Sequence, residues 1–151
     1  MLRESLAEAL KSSQKAKEAR KVATLRLILA ALKDRDIAAR GEGNEEGISE
    51  DGILSMLATM VRQRHESIKY YEQGKRDELA QQERDEIDII RSFMPRQLEE
   101  DEVSTAVHEV IAALGAKGLK DMGRTMAELR ARFAGQMDFA KASQLVKEHL
   151  S

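Results

Sequence analysis

Apolar residues recur along the chain at steps of three and four, the spacing of an amphipathic helix. Leu2, Leu6, Ala9 and Leu10 predict a short first helix that loses its pattern near Ser12-Ser13. A longer helix follows from about residue 17 to 39, marked by Val22, Leu25, Leu29 and Leu32. The segment 41–47 holds three glycines and no apolar residue, so it reads as a turn or loop. Ser49 is placed to cap a third helix, with Glu50 and Asp51 against its positive end. That helix repeats through Leu57, Val61, Arg64, Ile68 and Tyr71 and stops near Gly74, and a fourth carries Leu79, Glu83, Ile87, Ile90 and Phe93. Pro95, the one proline, drives Met94 out of helical geometry and marks a boundary. Beyond it the predicted helices shorten: Val103–Leu114 behind the acidic turn 99–102, then one capped by Asp121, then one capped by Asp138. The expected fold is all-α, with an N-terminal antiparallel hairpin or bundle of long helices over 1–96 and a three-helix C-terminal module over 97–151. A module of that size is expected to dock on something.

Composition narrows the class. The 151 residues are 34% charged and 3% aromatic, which suits helices with large solvated faces. No run approaches the ~18 apolar residues of a membrane span, and charge at Arg3 and Glu4 breaks up the apolar core that a secretory signal requires. With no cysteine there are no disulfides, thiolate metal sites or cysteine nucleophile, and a cytoplasmic protein is expected. The net charge of −2 provides no overall attraction to nucleic acid. Its distribution is uneven: residues 1–40 carry +5, residues 41–102 carry −9 and residues 103–151 carry +2. Mutual attraction of opposite faces within a helical hairpin is the simplest use of that pattern, and anion binding at either end is the functional one.

Charged residues interrupt two apolar seams. Arg26 sits within Leu25–Leu29, and Arg64 holds the seam position between Val61 and Ile68, while Glu83 and Glu86 lie among Leu79, Ile87 and Ile90. A desolvated guanidinium must be paired. Arg64, with Arg26, is therefore expected to meet Glu83 or Glu86 across a hairpin and set its register. The alternative is a cleft in which these groups bind an anionic ligand.

Reaction machinery is hard to find. His65, His108 and His149 fall on three separate predicted helices without metal-ligand spacing, and each reads as a surface histidine. Ser12-Ser13-Gln14-Lys15 matches a Ser-x-x-Lys motif by letter alone, without the glycines that would expose a nucleophile. No phosphate loop or calcium-loop spacing occurs, and no cofactor or metal is expected. Lys117, Lys120 and Arg124 bracket a helix start whose free N–H groups favour an anion, and Lys141, with Arg130 and Lys147, extends a basic surface for RNA phosphates. Phe133 and Phe139 occupy core positions, leaving no aromatic platform for bases.

Five segments in order carry a resemblance. They are Leu25–Lys33, Val61–Ile68, Leu79–Ile87, Met94-Pro95-Arg96-Gln97-Leu98 and Lys120-Asp121-Met122-Gly123-Arg124. Together they resemble the YqeY-like proteins of the GatB/YqeY family over nearly the whole chain. The resemblance implies an all-helical fold whose C-terminal module is similar to the tail of the B subunit of glutamyl-tRNA(Gln) amidotransferase, which helps to hold tRNA. The family label is a carbon–nitrogen ligase with glutamine as amide donor, but the residues that perform that chemistry have no counterpart here. On the matched tail motif, Asp121 and Gly123 would shape a helix start, Met122 would pack, and Lys120 and Arg124 would face RNA. Residues 136–139 read Gln-Met-Asp-Phe where the family pattern has an Asp-Gly pair behind a basic residue, a departure that bears on anion binding at that turn. The expectation is a non-catalytic accessory protein that binds tRNA or another structured RNA and no membrane. The alternatives are a protein–protein adaptor that offers its acidic hairpin to a basic partner, and a component of a true amidotransferase.

Overall fold

The computed structural model describes residues 1–151 and is all-α, with seven α-helices, one 3₁₀ turn and no strand. Its contacts divide the chain into two compact units, Met1–Pro95 and Arg96–Ser151.

The first unit contains α1 (Leu2–Lys15), α2 (Ala19–Gly41), α3 (Glu50–Gln73) and α4 (Asp77–Arg91). Helix α3 packs most extensively on α4, α1 packs on α2, and α2 also touches both α3 and α4. The α3–α4 pair is antiparallel. Glu72 meets Arg84 near the turn, whereas Arg64 meets Glu86 and His65 meets Arg91 farther from it. Leu6, Leu25, Ile28, Leu32, Ile53, Leu57 and Ile90 are among the residues that fill the core, each fully buried aliphatic side chain contributing about 1.5–3 kcal/mol.

Local chemistry sets the helix ends. The Ser49 hydroxyl accepts from the Gly52 amide (3.1 Å) and opens α3 as its sequence suggests. Helix α1 runs beyond Ser12-Ser13 because Ser13 is buried and donates to the Ala9 carbonyl (2.7 Å) instead of leaving the helix. Two turns close in the same way. After α1, the Lys17 and Glu18 amides bond to the Gln14 and Ser13 carbonyls; after α3, the Lys75 and Arg76 amides bond to Glu72 and Tyr71. These are Schellman closures, whose left-handed residue is usually glycine, but here it is Lys17 (φ 58°) and Lys75 (φ 57°).

The second unit contains α5 (Glu100–Leu114), a 3₁₀ turn (Leu119–Asp121), α6 (Met122–Arg132) and α7 (Phe139–Leu150). Its separate core is built on Val107, Val110, Leu129, Ala142 and Val146, with Met126, Met137 and Leu150 at the edges. Gly115 (φ 62°) takes the left-handed position after α5, and the Asp138 carboxylate accepts from the Ala140 amide (2.9 Å) to start α7.

Candidate nucleic-acid interface and polar seams

On α2 the buried stripe is Leu25, Ile28, Leu32 and then Asp36. Arg26 stands about 100° from Leu25 around the helix and is exposed, so its expected place on the seam is corrected. A local run of apolar letters suggested burial, but the three-and-four period decides which face turns inward.

Arg64 is on the seam and nearly buried. Its Nε donates to Glu86 Oε2 (2.8 Å) and its Nη1 to the Met60 carbonyl (3.1 Å), while Glu83 lies 4.0 Å away as a second, looser carboxylate. Burial, helped by the neighbouring Glu86 charge and opposed by Arg64, raises the Glu83 carboxyl above its ordinary value. The trio sets one guanidinium against two carboxylates in the α3–α4 seam, so Arg64 is fully paired while Glu83 is the excess charge.

A further polar lock escaped the sequence reading. Arg3 on α1 grips Asp36 on α2 through two hydrogen bonds (2.5 and 2.7 Å), and its Nη2 also reaches the Ile48 carbonyl (2.8 Å). The Ile48 amide donates back to Asp36 Oδ1 (2.9 Å). The Arg3 hydrogen bonds, with the Ile48 amide, hold the Asp36 carboxyl down at about 2. Gly47 makes room for this network: a Cβ there would lie 2.3 Å from Asp36 Oδ1 and 3.0 Å from Arg3 Nη2, and its φ is +86°. The seam period, which carries Leu32 on to position 36, was the available signal.

In the second unit Lys117, Lys120, Arg124 and Lys141 are all exposed. The 3₁₀ turn that carries Lys120 packs on both α6 and α7. At the start of α6, where an anion site is expected, the Asp121 carboxylate already engages two of the neighbouring donors. Asp121 Oδ2 accepts from the Lys117 amide (2.9 Å) and Oδ1 from Arg124 Nε (3.1 Å), and these contacts lower its carboxyl. Asp121 therefore turns back on the preceding loop instead of capping α6 with its side chain. Arg124 enters any phosphate contact already bonded to a carboxylate, whereas Lys117 and Lys120 present side chains for which no ion pair is found. Arg130 lies over the Phe139 ring (5.8 Å), and Arg132 pairs with Glu128 (2.8 Å). Phe133 and Phe139 pack against the core.

Charge is polarised along this unit. Residues 96–115 carry one basic and five acidic groups, and residues 116–151 carry seven basic and four acidic. At the acidic end Glu102 closes a capping box on the Glu99 amide (3.0 Å) and takes both Arg96 nitrogens (2.9 and 2.8 Å), contacts that lower its carboxyl to about 2.

Surface hollows are open and shallow. One of about 240 Å³ is lined by Leu98, Asp101, Glu102, Thr105 and Phe133, among others, and one of about 460 Å³ lies between the start of α2 and α4. No three His, Asp or Glu side chains converge to hold a metal ion. No helix is long and apolar enough to cross a membrane.

The family model described as Yqey-like protein matches residues 3–150. Among curated proteins, "Altered inheritance of mitochondria protein 41, mitochondrial" from Saccharomyces cerevisiae is 33% identical over 85 residues, 56% of this chain and 44% of that protein. The protein of the same name from Candida glabrata is 31% identical over 90 residues, 60% of this chain and 48% of its own. That from Eremothecium gossypii is 30% identical over 89 residues, 59% and 46%. The chain thus spans less than half the length of these relatives. Their names overturn the cytoplasmic expectation, since all three are mitochondrial proteins by name. Lack of cysteine is compatible with many compartments and selects none.

Proposed function

Since the chain belongs to the YqeY-like family, we propose that it is a non-catalytic accessory protein that holds tRNA or a similarly structured RNA against the basic part of its second unit. The charge polarity of that unit carries the reading: seven of its eight basic groups follow residue 115, against four of its nine acids. Lys117 and Lys120 supply exposed ammonium groups for phosphates, with Lys141 extending the surface. Contacts of this type give salt-dependent affinity with little sequence preference. The amidotransferase-tail resemblance of Lys120–Arg124 points the same way and brings no chemistry of its own to this chain.

Internal pairing weakens the adaptor alternative. Glu72, Asp85 and Glu86, within the acidic middle of the sequence, are engaged by Arg84, Arg20 and Arg64. Those carboxylates are held by arginines of the first unit itself and are not free to attract a basic partner.

Binding of the full chain to organellar and bulk tRNA across a salt series tests the proposal. Lys117→Ala with Lys120→Ala should weaken binding at every salt concentration and reduce the slope of log K against log salt by about 2. Isotherms and slopes identical to those of the unsubstituted chain would overturn it. So would recovery of a stoichiometric protein partner after nuclease treatment, with no RNA bound.

A further inference from the structure

His108 on α5 and His149 on α7, remote in sequence, meet in the fold: their ring centroids lie 4.1 Å apart with the planes inclined by 62°. Both side chains are exposed. Their backbones are held by the core, since Val107 and Val110 beside His108, and Val146 and Leu150 beside His149, are buried together. We infer that this pair is a binding site for a divalent transition-metal ion of the imidazole-preferring kind, such as zinc or copper.

The chemistry needs two neutral imidazole nitrogens that can converge. A metal about 2.1 Å from each nitrogen, bound by two adjacent coordination positions, places the ring centroids roughly 4.6–5.3 Å apart. The rings need therefore separate by only about 0.5–1 Å, which a small change in χ1 supplies without moving a helix, while rotation about the broad terminal torsion turns a nitrogen of each ring toward the metal. Two protein ligands leave the remaining positions to water or to a donor brought by a partner, as no third ligating side chain joins the group. The site is accordingly an exchangeable one and differs from the closed four-ligand kind that drives folding. Bound metal links the first and last helices of the second unit, which already pack on each other.

The test is titration of the full chain with zinc, and separately with copper, followed by calorimetry and by the histidine ring resonances. One equivalent should bind saturably and shift the His108 and His149 rings but not that of His65, and it should raise the thermal unfolding temperature. His108→Gln and His149→Gln should each weaken binding by about tenfold or more, because one imidazole is a poor hold on its own, and His65→Gln should leave it unchanged. The inference is overturned if the unsubstituted chain binds neither ion up to about 1 mM, if the ring shifts fall elsewhere, or if the double variant binds as tightly as the original.

Discussion

Asp36 uses both carboxylate oxygens on Arg3 and adds the Ile48 amide, so a single buried side chain joins α1, α2 and the loop before α3. Its carboxyl ionises at about 2 in the fold against an ordinary 3.8. A depressed carboxyl stabilises the fold fully above its unfolded value, and that contribution disappears as the pH drops through the folded value. Asp36→Asn should cost about 1–3 kcal/mol near neutrality, and the gap from the unsubstituted protein should close between about pH 4 and 2; denaturant melts across that range would reveal a constant gap if the assignment is wrong. Lys75 presents the opposite case, an ordinary residue in a left-handed position (φ 57°). Replacement by glycine should stabilise the fold by about 0.5–1 kcal/mol, as relief of the Cβ clash exceeds the entropy glycine adds to the unfolded chain. An unchanged urea midpoint would count against that. Neither site was visible from local sequence: the Arg3–Asp36 lock joins residues 33 apart, and the lysine follows the glycine expected to end the helix.

Pairing between α3 and α4 depends on one guanidinium and two carboxylates whose effects should differ in sign. Glu86 makes the close hydrogen bond to Arg64, so Glu86→Gln leaves a nearly buried cation without its charged partner and should cost about 2–4 kcal/mol. Glu83 carries a charge its surroundings disfavour, so Glu83→Gln should be neutral or slightly stabilising at pH 7. Equal losses from both, measured by chemical denaturation, would contradict this division of roles. At this scale much was legible in the sequence. Ser49 and Asp138 announce helix starts because a cap acts within three residues, and the position of Arg64 on a strict heptad-like stripe demanded the acid it found. Asp121 misled because a capping side chain has two directions in which to turn, and the loop amide of Lys117 won. Arg26 misled because apolar neighbours in sequence are not neighbours around a helix.

For the whole molecule, the RNA reading depends on charge already polarised along the sequence of the second unit. The polarity of the second unit could be counted from the sequence, but the self-neutralisation of Arg124 could not, and it moves the expected phosphate contacts toward Lys117 and Lys120. The encounter of His108 with His149 was equally invisible, because it follows from how α5 and α7 pack. Each unit closes its core over residues of its own segment alone, Leu6 to Ile90 in one and Ala106 to Leu150 in the other. A genetic exchange that cut the gene between Pro95 and Arg96 would carry away an intact interior instead of half of one. The joint is therefore a point at which the chain can be divided without dividing either interior.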